Sequence, residues 1–231
     1  MQKIRNSLLP FPLSFFGLRT SVFGLFFISF LLLTSCKDIR KEYYADGKVK
    51  SVLSFKGKVM NGISVWYYDG GDKMMECEYK NGNIDGKMSR WYYNGNLKTE
   101  QFYVNNRQNG KCTDYFERGG KQAEQYYKND TVDGPFIEYY PDMQVKSKGK
   151  YSMGVWDGKW EYFDEKGILV GEGNFVKGTG VLKGYYWNGR LNRVDHYLNG
   201  QKDGKETSYK ENGEIEKELV FKQGKLVEEE K

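Results

Sequence analysis

Glycine returns at a fixed period in this chain: Gly62, Gly86, Gly110, Gly134 and Gly158 stand 24 residues apart, Gly180 follows after 22, and Gly204 after 24 more. We take each as position zero of a unit and count back to Asp38 for a first unit that lacks the glycine. Position +5 is then aromatic in all eight units: Tyr43, Tyr67, Trp91, Tyr115, Tyr139, Phe163, Tyr185 and Tyr209. Position +17 is aromatic in all eight as well: Phe55, Tyr79, Tyr103, Tyr127, Tyr151, Phe175, Tyr197 and Phe221. A unit of 24 residues is too short to enclose a core, so each apolar face must be covered by the next copy, and residues 38–227 have to stack as repeats. Outside the first 35 residues there are 19 Tyr and 26 Gly but only eight Leu, a balance that argues against both helix bundles and disorder.

The unit reads as a β-hairpin. Turn pairs such as Asp46-Gly47, Asn94-Gly95, Asn188-Gly189 and Asn212-Gly213 sit between short runs of Tyr, Trp and Val, which is a hairpin signal. Seven of eight units have Gly at +9, the exception being Met143, and +11 is usually aliphatic, as in Val49, Leu97, Val145, Leu169, Leu191 and Ile215. A two-residue loop would send +5 and +11 to opposite faces, whereas a three-residue loop closed by a left-handed glycine pairs them. With that loop, +5, +11 and +17 are expected on one face. A second turn falls at +20, where Gly82, Gly154, Gly178, Gly200 and Gly224 stand. Links this short leave no room for a crossover. The expected fold is all-β, an elongated antiparallel meander of about eight 24-residue hairpin repeats over residues 42–227, followed by a charged tail at 228–231.

These residues resemble the MORN-repeat variant family, whose units run Gly-Lys-x-x-x-Tyr-Tyr-x-x-Gly-x-Leu and then Tyr-x-x-Gly-x-x-x-Gly. Gly86-Lys87, Trp91-Tyr92-Tyr93-Asn94-Gly95-Asn96-Leu97, Tyr79-Lys80-Asn81-Gly82 and Asp85-Gly86 stand as that pattern has them. The resemblance implies the hairpin architecture. Many bacterial members carry the label of YwqK-like antitoxins, so it also implies an antitoxin or immunity role.

Residues 1–35 read as a secretory signal. Lys3, Arg5 and Arg19 precede an apolar run from Val22 to Leu33 that ends at Thr34-Ser35-Cys36, and about a dozen apolar residues fall short of the ~20 a membrane span needs. Leu33-Thr34-Ser35-Cys36 resembles a bacterial lipobox, which implies diacylglycerol on Cys36 and a tether over residues 36–41. Lys37 in place of Asp favours the outer membrane, with the periplasmic or surface orientation left open. Without the three signal cations, 33 Lys and Arg face 31 acids, so there is no charge-based case for nucleic acid. Cys77 lies at +15 of the second unit and Cys112 at +2 of the fourth, about three strand spacings or ~14 Å apart, beyond the ~7 Å reach of a disulfide. Both are expected to be free.

Position +6 carries a second ring series, Tyr44, Tyr68, Tyr92, Phe116, Tyr140 and Tyr186. Tyr68, Tyr92, Tyr140 and Tyr186 are candidate glycan or partner contacts, with closure of the hairpin ends as the structural alternative. Glu76, Glu100, Glu124, Glu172 and Glu218 recur at +14, expected on the +6 face beside Lys50, Lys98 and Lys146 as a solvated charge column. Trp187, Arg190, Arg193 and His196 gather in the seventh unit and form a candidate protein interface, with Trp156 a weaker candidate. With one histidine, no triad and no metal site are expected. Gly171-Glu172-Gly173 and Gly178-Thr179-Gly180 are expected in turns, with no helix to receive a phosphate. The chain is expected to be a membrane-anchored recognition module without catalysis, metal or cofactor. Its partner is an unidentified protein, a toxin among the candidates, or alternatively a glycan. Cys36→Ser is expected to move the protein from the membrane fraction to the soluble one; a serine variant that still sediments with membranes would dispose of the lipid anchor.

Overall fold

The computed structural model describes residues 38–230; the signal segment and Cys36 lie outside them. The described residues form twenty β-strands and no helix. Strands pair antiparallel in chain order from Asp38–Tyr43 at one edge to Lys225–Glu230 at the other, in one open sheet. Both expected ends shift. Residues 38–41 already pair with the strand Val49–Lys56 and are not free tether, and residues 228–230 pair with Glu218–Val220 and are not a tail. Extended backbone beside an unpaired sheet edge satisfies its N–H and C=O groups there.

The three-residue hairpin loop is present as expected. In the third repeat Trp91 pairs with Leu97, Tyr92 N–H donates to Asn96 C=O at 2.8 Å, and Gly95 N–H returns to Tyr92 C=O at 3.0 Å. The same +5 to +11 pairing recurs in all eight repeats. Position +9 is left-handed, with φ 83° at Gly95, and Met143 is held there too, at φ 71°.

One expectation fails, and the failure reorganises both faces. In every repeat the register slips between +4 and +5, so that Arg90 pairs with Thr99 while Trp91 pairs with Leu97, leaving Lys98 as an extra residue. A β-bulge inverts side-chain alternation beyond it. Positions +5 and +11 therefore share a face with +14 and not with +17. The hydroxyls of Tyr115, Tyr139 and Tyr185 at +5 donate to Glu100, Glu124 and Glu172 at 3.1, 3.2 and 3.0 Å. The +6 rings are correspondingly on the opposite face from the glutamates.

The second turn is a two-residue loop with both φ angles positive, Asn81-Gly82 at 51° and 85° being typical. Such turns match the right-handed twist of the strands. Successive turns bond to each other: Gly82 N–H donates to Met60 C=O, Gly154 to Val132 and Gly224 to Lys202, each at 2.8 Å. Full-length repeats also slip by two residues on the way to the next unit, as between Cys77↔Met88 and Tyr79↔Ile84. The 22-residue step lacks those two residues, and pairing from Gly171↔Gly184 to Val176↔Thr179 runs without a break. Gly171-Glu172-Gly173 accordingly lies inside the strand Leu169–Val176, not in a turn.

Core side chains line the face carrying +2, +4, +13, +15 and +17. Cys77, Met88, Cys112, Trp160 and Phe175 are buried there. Trp160 packs against Tyr151, Trp156 and Phe136 with ring centres 4.9, 5.5 and 5.6 Å away, and its Nε1–H donates to Lys150 C=O at 3.0 Å. A Cβ on Gly149 would come within 2.2 Å of that indole, so only glycine lets the ring lie on the sheet. Cys77 and Cys112 are free, with Met88 and Gln101 between them, and burial pushes both thiols up.

Left-handed φ at a non-glycine residue costs about 1 kcal/mol. Met143→Gly should therefore raise the unfolding free energy by that order, read as a higher denaturant midpoint with an unchanged slope, and a lowered midpoint would show that the packing of Met143 outweighs its backbone cost.

Candidate functional site

The +6 tyrosines join one hairpin to the next. Tyr44, Tyr68, Tyr92, Tyr140 and Tyr186 donate their hydroxyls to Tyr67, Trp91, Tyr115, Phe163 and Tyr209 C=O at 2.6, 2.8, 2.9, 3.0 and 2.6 Å. Each acceptor lies 23 residues ahead, so a partly buried ring spans the gap between two turns and satisfies a carbonyl that the loop leaves unpaired. In all four candidates, Tyr68, Tyr92, Tyr140 and Tyr186, the hydroxyl proton is committed to a backbone carbonyl.

The seventh-repeat candidates do not converge on one point. Trp187 is 73% exposed at the hairpin tip, and Arg190 beside it is fixed by a 2.7 Å bond from Nη1 to Glu211 C=O. Arg193 stands on the core face with Nε 2.9 Å from Asp195 Oδ2, and Asp195, 1% exposed, also takes Lys202 Nζ at 2.9 Å. His196 is on the outer face, its Nδ1 2.7 Å from Lys205 C=O. Trp156 belongs to the aromatic core, 5.0 Å from Phe175 and 5.2 Å from Tyr197.

The outer-face glutamates are paired, but not with the lysines expected. Lys111 and Lys121 reach Glu124 at 2.6 and 2.8 Å, and Lys87 reaches Glu100. Those lysines come from +1 and +11. The +12 lysines are swung to the core face by the bulge, Lys98 lying 5.3 Å over the Tyr92 ring and Lys146 2.8 Å from Glu138. No group of side chains suited to a metal ion occurs among the described residues.

Sequence reasoning missed a transverse row on the core face. Through the bulge, +4 of one strand pairs with +13 of the next across the whole sheet, in part as Thr99↔Asp114↔Ala123↔Glu138↔Ser147↔Tyr162↔Gly171↔Gly184↔Arg193. Where that row runs out of side chain, cavities open. One of about 310 Å³ surrounds Ala123, lined by Asp114, Thr99 and Phe136; burial pushes the Asp114 carboxyl up. Another of about 370 Å³ lies over Gly171 and Gly184. The signal was present in the sequence as glycine at both +13 and +4 of neighbouring units, but without the bulge those positions are not neighbours.

Five segments, residues 39–56, 60–81, 84–105, 156–177 and 202–223, match the MORN repeat variant family. The intervening stretches keep the same hairpin register. Repeats of this kind suggest a repeat-built binding module. No curated protein matches the chain. One solved structure, described as the crystal structure of TcdB2-TccC3-TEV, is 13% identical over 83% of this chain but only 15% of that one, with a TM-score of 0.20.

Burial opposes ionisation of Glu124, yet Lys111 and Lys121 outweigh it and lower its pKa from 4.5 to about 2. A lowered folded-state pKa gives stability that is full above the unfolded value and is lost as pH falls toward the folded one. Glu124→Gln should thus flatten the loss of stability between about pH 4.5 and 2; an acid-unfolding curve unchanged in that window would dissociate the lysine pair from stability.

Proposed function

We propose that this chain is a non-catalytic recognition module, held at a bacterial envelope by lipid on Cys36, whose repeat surface binds another protein. The observation that carries the reading is Trp187, a large ring 73% exposed on a turn ordered by its own Asn188-Gly189 geometry. An exposed tryptophan beside a fixed arginine has the composition of an interface hot spot, and a turn already in place loses little entropy on binding. The paired lysines of the outer face give no concentrated basic surface for nucleic acid. An antitoxin or immunity role is the narrower form of the reading, in which the protein bound is a toxin.

The test is a crosslinked pull-down from native membranes. With Trp187→Ala combined with Arg190→Ala, recovery of the partner should fall about 30-fold, the effect of losing ~2 kcal/mol at a hot spot. Toxicity of the recovered partner when expressed alone would select the immunity role. Undiminished recovery with the double variant would overturn the assignment of this surface.

A further inference from the structure

The row Tyr162↔Gly171↔Gly184↔Arg193 places two bare strands side by side between two functional side chains. With neighbouring strands about 4.8 Å apart, Tyr162 and Arg193 stand ~14 Å from each other at the backbone, across a floor of peptide planes. Trp156, Val170 and Leu182 complete the cavity, whose volume of about 370 Å³ is within the range of small-ligand sites. Along this row no other pair consists of two glycines.

Both ends of the slot offer unused hydrogen-bonding groups. Arg193 is oriented by Asp195, which is itself fixed by Lys202, and the terminal guanidinium nitrogens make no hydrogen bond among the described residues. Lys202 also pairs with Glu206, and no carboxylate other than Asp195 is paired with Arg193 among the described residues. A guanidinium paired through Nε alone, with its two amino groups free, is a fork that matches a carboxylate. At the other end the Tyr162 hydroxyl has no hydrogen-bond partner among the described residues, in contrast to the +6 tyrosines and to Tyr115, Tyr139 and Tyr185. Burial pushes its phenol up, so it remains a donor.

We propose that the slot over Gly171 and Gly184 binds a six-membered ring bearing a carboxylate. The ring lies on the glycine floor against Trp156 and Leu182, the carboxylate meets Arg193, and a polar substituent on the far side meets Tyr162. This chemistry is found in an acidic sugar and in an aromatic acid. The slot is separate from the Trp187 tip, so loss of ligand binding and loss of protein capture report on different surfaces.

Calorimetric titration of the full-length protein with glucuronate, glucose and benzoate tests it. Glucuronate is expected to bind at least tenfold more tightly than glucose, and Arg193→Gln to weaken it at least tenfold. Gly184→Leu should abolish binding with the unfolding midpoint retained, since a Cβ there meets nothing closer than Arg193 Cβ at 3.8 Å and the residue is not left-handed. Arg193→Gln, a change at an exposed side chain, carries the test alone if the leucine variant unfolds. Arg193-dependent binding of benzoate with none of glucuronate would assign the site to aromatic acids and support the shared chemistry. Glucose binding equal to glucuronate, or no saturable binding of either carboxylate, would overturn the proposal.

Discussion

A single extra residue opposite +4, repeated eight times, determines what each face of this sheet presents. Because side chains alternate with a period of two, the bulge decides whether an aromatic at +5 meets the ring at +17 or the glutamate at +14. It selects the glutamate. The +5 tyrosines thereby become donors to the outer-face carboxylates, while the core face receives +4, +6 and +13 together. The transverse row and its two cavities exist because the bulge aligns +4 with +13.

The sheet has no second layer among the described residues, so its coherence comes from contacts between consecutive repeats. At one end of the strands the +6 hydroxyls bridge successive loops; at the other, turn N–H groups donate to carbonyls of the preceding turn. Asx side chains add to this, with Asn61, Asp157 and Asp203 accepting from Asn81, Lys177 and Gln223. Each bond is modest, about 1 kcal/mol, but the turn-to-turn bond recurs at all seven junctions and the tyrosine bridge at five of them, which is how a linear array accumulates stability from neighbour terms. The ring ladder that suggested a binding platform is the visible part of this joinery.

Repeats five to seven depart from that uniformity. The aromatic cluster around Trp160 and Phe175 is densest there, glycines at 149, 171 and 173 make room for it, and the missing two residues straighten the pairing into the seventh repeat. Asp195 then introduces a buried carboxylate at a position that holds Cys77 or Gly173 elsewhere, and with it an anchored Arg193. A regular stack gains a local site where its repeats stop being equivalent.

The periodic glycines and aromatics determined on their own the number of repeats, the hairpin loop, the meander and the separation of Cys77 from Cys112, because those follow from turn chemistry and strand spacing. Only the tertiary structure decided the faces, since a bulge is a backbone slip with no residue type reserved for it: Lys50, Lys98, Gln122 and Lys146 all stand as the extra residue. The same slip hid the Tyr162, Gly171, Gly184 and Arg193 row, whose members lie up to 31 residues apart and become neighbours only across paired strands. Trp187, Arg190, Arg193 and His196 were legible as a cluster in the chain. The strand's alternation and the turn dispersed them, sending one to the tip, one to each face, and pinning Arg190 to the backbone of the next repeat.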